Sequence, residues 1–131
     1  MRVLLVIVLA LSLAAAAACG PSEPLKVLTV QIGRTLNSDD SVGNITTTFK
    51  PNETVYAAVL LEAAGSGTVG VRWVYNGQTV SEEMKDVRLT REGAASFHIQ
   101  PPSTGFPEGE YRVEFQVDGM PAGTRTFRVA R

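Results

Sequence analysis

The chain has 131 residues, with 12 basic and 13 acidic side chains, a net charge of −1, one histidine and one cysteine. This length is typical of a single domain, and a near-neutral chain without a basic block does not favour nucleic acid as a partner. With one cysteine the chain can form no internal disulfide, so core packing must stabilise the fold.

The first 18 residues have the layout of an export signal. Arg2 supplies a positive charge, residues 3–13 are apolar, and a run of alanines leads directly to Cys19. Small residues followed at once by cysteine resemble the lipobox of bacterial lipoproteins, although that family usually has leucine where this chain has Ala16. Two alternatives remain open: a secretory signal with an incidental cysteine, and an uncleaved anchor, although the apolar run is shorter than the ~20 residues of a spanning helix.

The lipoprotein resemblance implies cleavage before Cys19, diacylation of its sulfur and acylation of the new amino group. It divides the chain into a signal peptide (1–18), a lipidated tether (19–24) and a folded domain (25–131). Gly20 replaces the aspartate that marks inner-membrane retention in enterobacterial lipoproteins, which implies delivery to the outer membrane, facing the periplasm. The implied partner of Cys19 is therefore the membrane.

After the tether, apolar residues mostly recur at every second position, as in β-strands. Leu28, Val30 and Ile32 alternate with polar residues in a first predicted strand. Residues 35–43 are polar and are predicted as a loop, and residues 44–49 are predicted as a second strand because they are rich in β-branched side chains.

Residues 53–64 fit either a strand or a helix. Asn52 could cap a helix that ends before Gly65. A strand is favoured, because the rest of the chain is β and such a strand would pair with the one that contains Trp73.

The second half of the chain has the pattern of repeated hairpins. The predicted strands contain residues 69–75, Val80, 87–89, 95–99, 111–117 and 127–129. Asn76-Gly77 predicts a type I′ turn, and Asp118-Gly119 is predicted as the turn before the last strand. Several short strands at this spacing indicate an antiparallel sandwich or barrel.

Two placements resemble the immunoglobulin-like family. Trp73 lies mid-strand, where such domains bury a tryptophan, and Pro107 to Tyr111 resembles the tyrosine corner. The resemblance implies an all-β, immunoglobulin-like antiparallel β-sandwich of about seven strands. An architecture of this kind does not assign a function.

The motifs that could support enzyme chemistry are weak, and we expect the protein not to be an enzyme. Gly65 to Gly70 matches GxGxxG, but no helical pattern follows it, so a flexible hairpin loop is predicted there. His98 is the only histidine and is predicted to be exposed, because Phe97 and Ile99 on either side of it would face the core.

We expect neither a cofactor nor a bound metal. A copper site would have to draw on His98, Met84 and Met120, which is a poor ligand set. A calcium site would have to use Asn37, Asp39, Asp40 and Asn44, which lack the order of ligands in an EF-hand.

The strongest candidate for a binding surface is one face of the predicted sheet. If Trp73, Tyr111 and Phe127 point inward, their neighbours point outward on one solvent face. These neighbours are Arg72, Arg112, Glu114 and Arg128. Arginine is suited to interfaces because its planar fork binds carboxylates in a bidentate manner. The alternative is an ordinary solvated face with cross-strand Arg–Glu pairs.

The sequence thus predicts a membrane-anchored bacterial envelope lipoprotein that acts as a non-catalytic binding or assembly module, with an envelope protein as its possible partner. The alternative is a periplasmic module that binds a glycan or a metal through Tyr56, Tyr75 or His98.

Overall fold

The computed structural model describes residues 23–131, which form nine strands. The strands are β1 (Val27–Leu36), β2 (Val42–Ile45), β3 (Thr48–Phe49), β4 (Val55–Leu61), β5 (Gly65–Tyr75), β6 (Gln78–Leu89), β7 (Gly93–Ile99), β8 (Gly109–Val117) and β9 (Met120–Val129). Within residues 23–131 there is no helix, and so none that could cross a membrane. The predicted signal segment and Cys19 lie outside the described residues.

The strands form two facing sheets, as predicted for a sandwich. The first sheet has the order β2-β1-β4-β7 and the second the order β3-β9-β8-β5-β6. Neighbouring strands are antiparallel, except that β3 pairs with β9 in parallel. The all-β sandwich is confirmed.

The ambiguous segment 53–64 contains strand β4, so the helical alternative is wrong. β4 lies between β1 and β7 and pairs with both along its length. Val55, Ala57 and Val59 are fully buried on its inner face, and Ala58 is fully buried on its outer face. A strand that is covered on both faces has an almost continuous apolar sequence, which makes it hard to distinguish from a buried helix.

The β1–β2 hairpin covers the outer face of the first sheet. Gln31, Ala58 and Ser96 occupy neighbouring register positions there. The Ser96 hydroxyl donates to Asp40 Oδ1 at 2.9 Å, and the Val42 amide donates to Gln31 Oε1 at 3.4 Å. The hairpin loop therefore folds back over the sheet and buries Ala58.

Segment 44–49 does not form one strand, contrary to the prediction. The Thr46 amide donates to Ile32 O in the first sheet, and the Arg128 amide donates to Thr47 O in the second. The chain crosses between the sheets at this point, so β2 and β3 belong to different sheets.

Two sequence predictions for residues 65–89 were also wrong. Residues 65–70, predicted as a flexible loop, are the beginning of β5. Val80 and the pair Val87 and Leu89, predicted to lie in separate strands, both belong to β6, because β6 pairs with β5 over its whole length.

The predicted inward face of the second sheet is confirmed. Trp73, Tyr111 and Phe127 are buried, and the Trp73 and Phe127 rings meet edge to face with centroids 6.2 Å apart. The Tyr111 hydroxyl donates to Pro107 O at 2.7 Å, which is the hydrogen bond expected of a tyrosine corner. Aromatic packing therefore joins β5, β8 and β9 into the core.

Candidate functional site

The predicted binding surface lies on the outer side of the second sheet. We define the arginine face as Arg72 on β5, Arg112 and Glu114 on β8, and Arg128 on β9. In the register of the sheet, Arg72 lies opposite Glu114, and Arg112 lies opposite Thr126. These four side chains therefore share one side of three adjacent strands, as the alternation predicts.

Glu114 joins two of the arginines. Arg72 Nε lies 2.8 Å from Glu114 Oε2, and Arg112 Nε lies 3.0 Å from Glu114 Oε1. Arg72 Nε is also 3.9 Å from Glu82 Oε1 on β6. Cross-strand Arg–Glu pairing, the alternative that the sequence left open, is therefore part of this surface.

The pairing leaves donors available to an external group. Both guanidinium groups contact Glu114 through Nε, and within residues 23–131 their terminal nitrogens make no hydrogen bond. Arg128 lies opposite Glu110 in the register, but its side chain forms no ion pair within the described part of the chain. The terminal nitrogens can donate in pairs to a carboxylate.

The surface as a whole is not a basic patch. Glu82 and Glu110 lie on the same side of the sheet, so acidic side chains stand beside the three arginines there. Recognition by this surface would therefore depend on the geometry of individual carboxylates rather than on a net positive field.

Tyr56 and Tyr75, considered above for glycan binding, lie on different sheets. Tyr56 stands beside His98 on the outer face of the first sheet, with ring centroids 6.0 Å apart. Tyr75 stacks on Tyr111 at 4.5 Å, and its hydroxyl donates to Glu108 O at 3.0 Å. Only Tyr56 and His98 are brought together.

The three residues considered for copper are not brought together. His98 lies on β7, Met84 on β6 and Met120 at the start of β9. In residues 23–131 no group of three or more His, Cys, Asp or Glu side chains has the geometry to hold a metal ion.

The polar loop considered for calcium uses its oxygen atoms to hold its own conformation. The Ser41 hydroxyl and amide both donate to Asp39, and these hydrogen bonds lower the pKa of the Asp39 carboxyl. The side-chain amide of Asn37 donates to the Ser41 hydroxyl at 3.0 Å, and Asp40 accepts from the Ser96 hydroxyl.

The GxGxxG segment has a structural explanation in strand β5. A Cβ at Gly65 would lie 2.7 Å from Pro24 O, and one at Gly67 would lie 2.8 Å from Asp118 Oδ1. Asp118 accepts a hydrogen bond from the Thr68 amide at 2.9 Å. These glycines therefore make room for the incoming chain and for the β8–β9 turn.

Sequence reasoning missed a feature at the end of the sandwich where the described chain begins. We call this end the N-terminal pole; it comprises residues 23–28 and the β4–β5, β6–β7 and β8–β9 turns. Leu28 and Met120 are highly exposed there and line the same cleft. The alternation of Leu28 with Val30 and Ile32 gave no sign that Leu28 would be exposed.

Comparisons with known proteins agree on the architecture. No protein-family model and no curated protein sequence matches the chain. An immunoglobulin-like protein from Pseudomonas aeruginosa is 12% identical with a TM-score of 0.57, over 85% of this chain and 100% of that one.

The fold is also similar to part of a larger protein. An alkylpurine DNA glycosylase from Pseudomonas fluorescens, solved bound to DNA with an abasic site analog, is 15% identical with a TM-score of 0.53. The match covers 86% of this chain and 32% of the glycosylase, so this chain spans about a third of that protein. At such identities the likeness shows the fold alone, which is an immunoglobulin-like β-sandwich.

Proposed function

We propose that the protein is a bacterial envelope lipoprotein, anchored through lipid on Cys19, whose immunoglobulin-like domain is a non-catalytic binding or assembly module. The proposed location is the outer membrane, facing the periplasm. The lipobox-like segment supports the anchor, and the sandwich supplies a rigid scaffold for presenting a surface.

The observation that carries this proposal is the attachment of the N-terminal segment to the domain. The Glu23 carbonyl accepts a hydrogen bond from the Ser66 amide at 2.8 Å, and Pro24 forms a β-bridge with Ser66. Only three residues separate Cys19 from Glu23. A lipid on Cys19 would therefore hold the N-terminal pole next to the bilayer and leave the sides of the sandwich open to a partner.

The arginine face is the surface that we propose for the partner. Terminal nitrogens of Arg72, Arg112 and Arg128 can each donate to an acidic side chain, and Glu114 fixes the orientation of the first two. Preorganised guanidinium groups lose less entropy on binding than flexible ones do. The proposed partner is an envelope protein that presents carboxylates.

Fatty-acid labelling tests the anchor. The wild-type protein should incorporate labelled fatty acid and the C19S variant should not, because its side chain can no longer be diacylated. The G20D variant keeps the cysteine and should incorporate the label, which makes it the matched control. Equal labelling of C19S and wild type, or no labelling of wild type, would contradict the anchor.

Crosslinking in the native envelope tests the binding face. The triple variant R72E/R112E/R128E should lose the partners that wild type captures. The control R34E reverses the charge of an exposed residue on β1, outside both the arginine face and the N-terminal pole, and should retain them. Equal recovery of partners by both variants would argue against the arginine face.

The adjacent rings of Tyr56 and His98 favour glycan binding as a second candidate function. Tyr56 is half-buried and His98 is exposed, and two neighbouring aromatic rings can stack against a sugar ring. A Y56A variant should then lose retention on immobilised envelope glycan, whereas Y75F, which alters the other sheet, should not.

A further inference from the structure

A β-bulge turns Leu28 out of the core. Val27 pairs with Leu61 and Thr29 pairs with Leu60, so β1 has one extra residue at this point. The extra residue is Leu28, whose exposed fraction is 61%. Bulges commonly redirect a side chain, and here the bulge directs a large apolar side chain into solvent.

A second large apolar side chain is exposed nearby. Met120 directly follows the Asp118-Gly119 turn and is 68% exposed. Leu28 and Met120 line one cleft of about 590 Å³, and Leu28 also lines a second cleft between β4 and the β6–β7 turn. The N-terminal pole therefore presents two exposed apolar side chains beside an open cleft.

The position of the chain's N-terminal segment indicates what faces this pole. Four Cα–Cα steps separate Cys19 from Glu23, a span of at most about 14 Å. Glu23 is bound to the start of β5 on the same pole as Leu28 and Met120. A bilayer that holds the Cys19 lipid would therefore lie within one short segment of both side chains.

We propose that Leu28 and Met120 insert into the headgroup region of the bilayer that carries the anchor, and so fix the tilt of the domain on the membrane. This inference rests on the proposed lipid anchor at Cys19. The anchor supplies the attachment, and the two apolar side chains add a second and third point of contact, which together define an orientation.

The charges around the two clefts predict how this contact depends on lipid composition. Arg125 and Asp118 line the first cleft, and Arg91, Asp39, Glu62 and Glu92 line the second. Because four acidic and two basic side chains line the two clefts, insertion should be weaker in anionic than in neutral bilayers, and added salt should reduce the difference.

Site-specific fluorescence on the lipidated protein tests the inference. Acylation of Cys19 consumes the only native thiol, so an introduced cysteine can be labelled alone. We would label L28C and M120C with an environment-sensitive dye in vesicles of phosphatidylcholine, with and without phosphatidylglycerol. Controls are I45C and M84C, whose native side chains are 59% and 65% exposed but lie away from the pole.

We expect blue-shifted emission and quenching by brominated lipids at positions 28 and 120, and water-like emission at positions 45 and 84. Water-like emission at all four positions on protein shown by mass to carry the Cys19 lipid would overturn this inference and leave the anchor intact. A mature protein whose Cys19 carries no lipid would overturn the proposed function, and this inference with it.

Discussion

Tyr111 combines ring stacking with a hydrogen bond in the core. Its ring lies between those of Tyr75 and Phe127, at centroid distances of 4.5 and 5.1 Å, and its hydroxyl donates to Pro107 O. Burial, with a smaller contribution from Tyr75, raises the pKa of Tyr111 to about 12. The neutral hydroxyl is therefore part of the folded structure.

Removal of this hydroxyl should destabilise the domain without changing its fold. Y111F leaves the ring in place but deletes the donor to Pro107 O, at a cost of about 1 kcal/mol in the free energy of unfolding. Y75F removes a more accessible hydroxyl and should cost less. Urea unfolding of both variants measures the difference, and a larger loss for Y75F would contradict this account.

The raised pKa of Tyr111 predicts loss of stability at alkaline pH. Its value of about 12 in the folded state exceeds the ordinary value of 10, so the folded state holds the proton more tightly. The stabilisation is complete below about pH 10 and is lost as the pH rises through about 12. The free energy of unfolding should fall over this range in wild type and fall less steeply in Y111F; parallel curves would contradict the assignment.

For single strands, the alternation of apolar and polar residues predicted which side chains face the core and which face solvent. The buried positions of Trp73, Tyr111 and Phe127, and the opposite placement of the arginine face, follow from the two-residue period. The bulge at Leu28 could not be predicted, because it depends on pairing with β4. The division of residues 44–49 between two sheets likewise depends on contacts with distant strands.

At the candidate site, the contacts of Glu114 could likewise be predicted only in part from the sequence. Alternation predicts that Arg72, Arg112 and Glu114 share a face. It does not predict that one carboxylate lies between the two arginines, because this requires the register of β5 against β8. An Arg–Glu pair can be expected from composition, but its geometry depends on the assembled sheet.

Attachment of the N-terminal segment to β5 predicts different effects for two glycine substitutions. A Cβ at Gly65 would meet Pro24 O at 2.7 Å, so G65A should displace the segment and lower the free energy of unfolding by about 1–3 kcal/mol. Faster hydrogen exchange at the Ser66 amide should report the displacement. At Gly70 the nearest atom would be 3.6 Å away, so G70A should be tolerated; equal losses for both would argue against this explanation.

Lys85 protects an open edge of the sandwich. β6 and β7 are the edge strands on one side, and Lys85 lies opposite the buried Val69. Its ammonium group donates to Ser96 O and stands 4.8 Å from the centroid of the Phe97 ring. An inward-pointing charge at an edge opposes pairing with another chain.

Replacement of this charge should promote association between molecules. K85V should form concentration-dependent oligomers, measured by light scattering, whereas K85R should remain as wild type because it keeps the charge. A K85V protein that stays monomeric at the same concentrations would contradict a protective role for Lys85.

At the scale of the whole molecule, we propose a rigid sandwich held on a short lipid tether. Among residues 23–131, nineteen buried apolar side chains form one core cluster between the two sheets, so the domain can act as a single body. Because residues 23–25 are attached to the domain, the position of the tether should determine how the domain is oriented on the membrane. The proposed lipid on Cys19 would then determine which surfaces are open to a partner.

The intact mass of the mature protein, isolated from the native membranes, is the decisive measurement for the proposed lipid anchor. The account predicts a chain that begins at Cys19 and carries a diacylglyceryl group on sulfur and a third acyl chain on the new amino group. A soluble product with a free thiol and a different N-terminus would contradict it.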